Sequence, residues 1–252
     1  MTGLEDDGDA RKIKSVQRAF DMVEFVRDNQ GATLSDIEGA VDLSRGTVHT
    51  YLSTLQGCGL LRRENDVYRL GYGFLTAGEH VRHQTDLYWA GWEEVNSLSE
   101  RTGEYAHLAV EERGRQVVIH ESIGENAVAT KYHLQMREST QELYNSATGK
   151  AILAHLPEQR LDALLESTEF EPETENTITS PEELRAELET VRERGYAIND
   201  EERIRGVRSV GAPILNRGKV RGAVSLTALT SRLDGGEFAE EVPNLVKETA
   251  NL

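Results

Sequence analysis

From Ser15 onward, Val16, Ala19, Phe20, Val23 and Val26 recur every three or four positions, which predicts a helix with one apolar face that stops near Gly31. Leu34, Ile37 and Ala40 repeat that spacing over a shorter stretch, and Val41-Asp42-Leu43 interrupts it. Ser44 then brings a hydroxyl oxygen to cap a third helix, predicted to run to about Gln56 and to end at Gly57 or Gly59. Leu60-Leu61-Arg62-Arg63 and Val67-Tyr68-Arg69-Leu70 follow as two strand-like runs joined by the turn Glu64-Asn65-Asp66.

The helical period returns between Tyr72 and Thr102, carried by Phe74, Leu75, Val81, Leu87, Trp89, Ala90, Trp92, Val95 and Leu98. Trp89 and Trp92 call for a large packing partner, either the core or a second copy of the chain. After Gly103, Tyr105 to Val110 and Gln116 to His120 predict strands around the turn Glu112-Arg113-Gly114-Arg115. Helices are predicted from about Ser146 to Leu156, Pro157 to Glu166 and Pro181 to about Arg194, with an acidic loop from Glu169 to Thr179. Tyr196 to Asp200, Val207 to Leu215 and Val220 to Thr227 close the pattern as three strands, the last pair joined at Asn216-Arg217-Gly218. Hairpins and helices in this order give an α+β fold class with an antiparallel sheet.

Three helices, the last two joined by a short turn, followed by a two-stranded hairpin, constitute a winged helix-turn-helix over residues 11–72. In its third helix Val48, Leu52 and Leu55, flanked by Tyr51, form the buried face. Gly46, Thr50 and Ser53 lie opposite, with Thr47 and His49 at the edges. This small, polar face suits the major groove of double-stranded DNA, about 12 Å wide. The candidate contacts are Ser44, Arg45, Gly46, Thr47, His49 and Thr50 on the helix. Arg62, Arg63 and Arg69 on the hairpin are either phosphate contacts or solvated strand-edge arginines.

Charge at first opposes that reading. The chain of 252 residues has 44 acidic and 28 basic residues, net −16, and phosphate binding is driven by cations. The charge is unevenly placed, however. Residues 1–9 carry four acids, an expected disordered tail over 1–10; residues 10–80 carry nine bases and nine acids; residues 81–252 carry the remaining net −12. The winged helix is thus neutral, and no acid lies between Leu43 and Leu61. Only six of the basic residues are Lys, while Glu outnumbers Asp 32 to 12, a bias expected of a protein that stays folded in concentrated salt. No apolar run is long enough for a membrane helix, and the acidic N-terminus lacks the features of a secretory signal, so a cytoplasmic protein is expected. The single cysteine, Cys58, excludes an intramolecular disulfide and a multi-cysteine metal site, and its place at the end of the third helix predicts a packing role.

Several stretches are distinctive together and in this order: Ser15-Val16-Gln17-Arg18-Ala19-Phe20, Leu43-Ser44-Arg45-Gly46-Thr47-Val48-His49 and Tyr68-Arg69-Leu70-Gly71. In the second half they are Ala147-Thr148-Gly149-Lys150-Ala151, Gly195-Tyr196-Ala197-Ile198-Asn199-Asp200-Glu201-Glu202, and Gly206-Val207-Arg208 leading to Ala212-Pro213-Ile214. Through them the chain resembles, over roughly residues 13–250, the IclR family of transcriptional regulators. The resemblance implies a linker helix over residues 73–102 and a GAF-like effector domain over residues 103–252. It also implies a homodimer or dimer of dimers whose operator binding responds to a small organic, sugar-derived or aromatic acid. The family's pocket positions fall on Ala147, Thr148, Asn199, Ser209, Ser225 and Thr227. A helix start at Ala147 and Thr148 would offer backbone N–H groups to an anion, and Ser225 and Thr227, two apart on a strand, share a face. Arg205 and Arg208 either add charge for a carboxylate or pair with Glu201 or Glu202. Gly46 and Thr50 stand where the family often has Ser and Arg, and Asn199 and Ser209 where relatives can carry an acid or a thiol.

Two other readings compete. An enzyme built on the second domain would draw on His80, His83, His107, His120, His133 and His155, yet no HExxH, nucleophile elbow or phosphate loop accompanies them. No cofactor or metal is therefore expected. A regulator controlled by a protein partner would have a cavity filled by apolar side chains around Thr148 and Ser225.

Overall fold

The computed structural model describes residues 12–127 and 141–252. The predicted acidic tail and His133 lie outside the described residues. The chain divides into two compact units, one ending at Arg82 and the other beginning at His83.

In the first unit, α1 (Lys14–Asp28) is followed by a two-residue strand β1 (Ala32–Thr33), α2 (Leu34–Ala40), α3 (Arg45–Gly57), and the hairpin β2 (Leu61–Glu64) and β3 (Val67–Leu70). The strands form an antiparallel sheet in the order β1-β3-β2. One core takes in Met22, Val23 and Val26 of α1, Ile37 of α2, Val48, Leu52 and Leu55 of α3, and Leu61 and Tyr68 of the hairpin. Val16 and Phe20, predicted on the buried face of α1, are instead exposed, because the helix packs through the side that Met22, Val23 and Val26 share. Thr33 and Asp36 close a reciprocal cap at the start of α2. Hydrogen bonds from the Thr33 N–H and hydroxyl hold the Asp36 carboxyl below the usual carboxylate range. Cys58 is exposed, which corrects the predicted packing role: the helix ends at Gly57, and the side chain after it turns to solvent.

The segment 73–102 is two helices, α4 (Gly73–His83) and α5 (Asp86–Thr102), where a single linker helix was expected. Val95 and Leu98 bury α5 in the core of the second unit, and Trp89 and Trp92 remain exposed on its outer side. The second unit is built on strands β4 (Tyr105–Glu112), β5 (Arg115–Ile123), β6 (Ala197–Asp200), β7 (Val207–Asn216) and β8 (Lys219–Leu229). They form an antiparallel sheet in the order β5-β4-β8-β7-β6. Helices α6 (Ala147–Leu153), α7 (Glu158–Ser167) and α8 (Pro181–Arg194) lie between β5 and β6 in the chain. After β8 come α9 (Thr230–Leu233) and α10 (Glu237–Thr249), which the sequence reading left out.

Alternation along the strands sorts two layers. Ala106 and Leu108 of β4, Val210 and Ala212 of β7, and Val224 and Leu226 of β8 pack with α5 and with Val242 and Val246 of α10. Residues of the opposite parity, including His107, Ser209, Ser225 and Thr227, point to the other face, toward the start of α6. Behind that start, Ala151 and Ile152 join Leu161, Leu184, Leu188 and Ala197 in a second core.

Candidate functional site

The exposed face of α3 is as predicted: Arg45, Gly46, Thr47, His49, Thr50 and Ser53 are all exposed. Ser44 is occupied as the helix cap; its Oγ accepts the Thr47 N–H at 3.3 Å and lies 2.8 Å from Thr47 Oγ1. Arg45 forms a 2.9 Å ion pair with Glu38 of α2. The Thr50 hydroxyl donates to the Gly46 carbonyl at 2.9 Å, which leaves its methyl group and its oxygen lone pairs for other contacts. A Cβ added to Gly46 would meet nothing within 4 Å, so the fold itself has no need of a glycine there.

The hairpin arginines are engaged within their own unit. Arg62 pairs with Glu64 and donates from Nε to the Leu70 carbonyl at 3.2 Å, its guanidinium 4.9 Å from the Tyr72 ring centre. Arg63 pairs with Asp66 at 2.6 Å. Arg69 donates to the Gln30 carbonyl at 2.6 Å and lies 3.2 Å from Glu64. Each cation thus has an acidic partner, and Arg69 also ties the wing to the end of α1.

In the second unit, all six predicted pocket residues line one cavity of about 30 Å³ between the sheet and the start of α6. Asn199 comes from β6, Ser209 from β7, Ser225 and Thr227 from β8, and Ala147 and Thr148 from α6. Ser209 and Thr227 are cross-strand partners with hydroxyls 2.8 Å apart. Gly211, two residues along β7, lets the helix approach: a Cβ there would stand 2.7 Å from the Ala147 carbonyl carbon and 2.9 Å from the Thr148 nitrogen. Ser146 caps α6 through the Gly149 N–H at 3.0 Å.

Ser146, Ile204 and Val207 also line it, together with His107 and Arg203, two polar side chains missed as ligand contacts. His107, opposite Ser225 in the β4–β8 register, lies 3.1 Å from Ser225 Oγ and 3.3 Å from Thr148 Oγ1. Its place on the same face as Ser225 follows from strand alternation, so a signal existed. Arg203 comes from the β6–β7 connection, which has no periodicity to reveal it. It donates from Nη2 to Gln141, and its Nε lies 3.8 Å from Glu173. Its Nε and Nη1 are buried and find no hydrogen-bond acceptor among the described residues.

Buried Gln116 accepts hydrogen bonds from Ser146 at 2.6 Å and Thr148 at 2.7 Å, extending the polar layer under α6. Next to it, the fully buried Lys150 ion-pairs with buried Glu202, and Asn199 bridges the two regions by accepting the Glu202 N–H and donating to the Asn145 carbonyl. Arg205 and Arg208 are elsewhere engaged: Arg205 with Glu175 at 3.0 Å, Arg208 with Asp200 and Asp234, both at 2.7 Å. Among the described residues, no group of three or more His, Cys, Asp or Glu side chains is placed to hold a metal ion, and no helix is long and apolar enough to cross a membrane.

Residues 15–65 match the IclR helix-turn-helix domain, and residues 80–252 match the C-terminal domain of the bacterial transcriptional regulator IclR. The chain is 46% identical over 248 residues to the probable HTH-type transcriptional regulator ArcR of Halobacterium salinarum, covering 98% of this chain and 94% of that one. The crystal structure of Thermotoga maritima IclR superposes with a TM-score of 0.75 at 29% identity, covering 95% and 96% of the two chains. An IclR homologue from Microbacterium hydrocarbonoxydans, crystallised with 4-hydroxybenzoate, has the same fold, with a TM-score of 0.77 at 20% identity over 94% and 95% of the two chains. The two matched domains cover both halves of the molecule, and the chain belongs to the IclR family of DNA-binding transcriptional regulators.

Proposed function

We propose that α3 enters the major groove of an operator, that the cavity beside α6 binds a small organic acid, and that occupancy of the cavity controls operator binding. The observation that carries the effector half is the convergence of six residues, from four elements, on one polar cavity. The ligand carried by the Microbacterium homologue is itself an acid. On the DNA side, Gly46 supports close approach of a groove wall, because the space beside it is open and a methyl group there would disturb nothing in the fold. Arg45 and Thr47 lie at the α3 N-terminus, the end that reaches base edges in helix-turn-helix proteins. Arg45 exchanges Glu38 for a base or phosphate on binding.

Operator fragments selected from genomic DNA by the protein itself test this half. Arg45→Ala and Thr47→Ala should each weaken binding by about 1–3 kcal/mol in a fluorescence-anisotropy titration, with the effector response intact. Equal affinity of variants and parent removes α3 from the interface. Because the winged helix is neutral and its hairpin arginines are paired, affinity should fall shallowly with added KCl. That behaviour suits a salt-rich cytoplasm, the setting that the acidic composition and the Halobacterium relative both support.

The same reading makes the active species a homodimer or a dimer of dimers. Ile13, Val16 and Phe20 on one side of α1, with Tyr72 and Leu75 near the start of α4, are large apolar side chains left between 51% and 68% exposed. A second copy covers them in this reading. Phe20→Glu should yield a monomer by light scattering, and an unchanged dimer mass places the interface elsewhere.

A further inference from the structure

We propose that Thr50 is a specificity-determining residue of the DNA-binding helix: its methyl group packs against the C5 methyl of a thymine, and its hydroxyl oxygen, able only to accept, discriminates against guanine. This rests on the reading that α3 enters the major groove, and it adds the base pair that the centre of the helix reads, T·A.

The place of Thr50 on the helix is the first argument. A helix turns by about 100° per residue, which sets Thr50 almost directly opposite Val48, Leu52 and Leu55, the side chains that fix α3 in its core. Thr50 is exposed, and it stands at the centre of whatever surface α3 offers to a partner. A helical side chain leans toward the preceding turn, which for Thr50 is the turn of Gly46. Glycine keeps that spot bare, with nothing within 4 Å of the place a Cβ would take, so a base edge reaches the threonine unobstructed.

The second argument is the hydrogen bonding of the face. The Thr50 hydroxyl donates its proton to the Gly46 carbonyl at 2.9 Å, and Thr54, one turn on, donates to the Thr50 carbonyl at 2.8 Å. Both threonines in the middle of α3 therefore turn their donors inward and present a methyl group and an accepting oxygen. In the major groove of unmodified DNA, thymine alone offers a methyl group. Guanine offers two acceptors, N7 and O6; against them the Thr50 oxygen either faces lone pair to lone pair or gives up its bond to Gly46. The adenine paired with thymine offers an amino group, which that oxygen can accept. T·A is the pair that both ends of the side chain fit. A contact between methyl groups is not screened by salt, which suits a winged helix whose residues 10–80 carry no net charge.

Anisotropy titrations at fixed KCl test this on duplexes of the selected operator in which each thymine in turn is replaced by uracil, which removes the methyl. The parent should lose about fourfold in affinity at one thymine per half-site, the worth of one buried methyl group. Thr50→Ser keeps the hydroxyl without the methyl; it should bind the unaltered operator about fourfold more weakly per half-site and no longer distinguish thymine from uracil there. Thr50→Val keeps a methyl and should keep the distinction. Replacing that T·A pair by 5-methylcytosine·guanine retains a methyl group and adds the acceptors of guanine, and should weaken the parent at least about fivefold. Equal affinity for the two pairs overturns the discrimination against guanine. A thymine dependence that Thr50→Ser retains, or that Thr50→Val loses, overturns the methyl contact. A parent indifferent to every thymine methyl overturns it too, and leaves α3 in the groove if Arg45→Ala still weakens binding. Indifference to the methyls and to Arg45→Ala alike overturns the groove reading itself.

Discussion

Lys150→Met should cost about 3–5 kcal/mol of stability at neutral pH, among the largest losses available from a single side chain. Lys150 is 1% exposed and neutralises Glu202, whose side chain is 6% exposed and whose second oxygen has no partner among the described residues. Glu187 lies 3.9 Å away on α8, so removing the ammonium leaves a buried carboxylate with another carboxylate nearby. Burial pushes the Glu202 carboxyl above the ordinary carboxylate range, and Lys150 pulls it back only in part. Without Lys150 the carboxyl moves further up. An acid whose folded pKa lies above its unfolded value keeps its full stability below the unfolded value and loses it as pH rises through the folded one. The deficit of the variant is therefore largest at neutral pH and shrinks on acidification. Chemical denaturation at two pH values measures both parts, and a neutral-pH loss below about 1 kcal/mol would contradict the burial argument. Replacing both partners, Lys150→Met with Glu202→Leu, should recover most of the loss, because an apolar pair of similar volume carries no desolvation cost.

Gly211→Ala should separate the two activities of the molecule. The new methyl carbon would stand 2.7 Å from the Ala147 carbonyl carbon and 2.8 Å from its oxygen, both backbone atoms that no rotamer change can move. Either α6 lifts from the sheet or β7 bends away, and both displace Thr148 from Ser225 and His107. Overpacking of this kind costs about 1–3 kcal/mol, which a domain of this size tolerates. The thermal shift given by a small organic acid should vanish, and operator binding, which resides in the other unit, should persist. A variant that keeps its full ligand response would show that the start of α6 does not shape the cavity.

Much of this was legible in the residues, for reasons that differ between the two halves. The α3 face was readable because Val48, Leu52 and Leu55 obey a single period and Ser44 marks the helix start. That Ser225 and Thr227 share a face was readable, because strand alternation puts them there whatever the topology. Their place in the pocket, like that of Ala147, Thr148, Asn199 and Ser209, came from family resemblance, since nothing local marks any of them as a ligand contact. Arg203 escaped because its role depends on Gln141, 62 positions away, and on a loop without a repeat. α10 was missed although Val242, Leu245 and Val246 have helical spacing, because Pro243 falls inside it and Gly235 and Gly236 precede it. Among the hairpin arginines, Arg62 and Arg69 share Glu64 and Arg63 pairs with Asp66, contacts across the strand pair and its turn that no residue spacing announces.

Net charge of −16 has thus ceased to argue against DNA. The excess of acids lies in residues 1–9 and in the second half, and none of the described residues lining the cavity is an acid.

The central claim, that an occupied cavity in one unit governs DNA binding by the other, is tested most directly by titrating a fluorescent operator with parent and Gly211→Ala protein at fixed KCl, with and without a small organic acid that raises the Tm of the parent. Coupling of about 1–3 kcal/mol, a roughly 5- to 150-fold change in operator affinity on adding the acid, is expected for the parent, and no change for Gly211→Ala. An operator affinity that the acid leaves unaltered in the parent, although thermal shifts show it bound, would contradict the account.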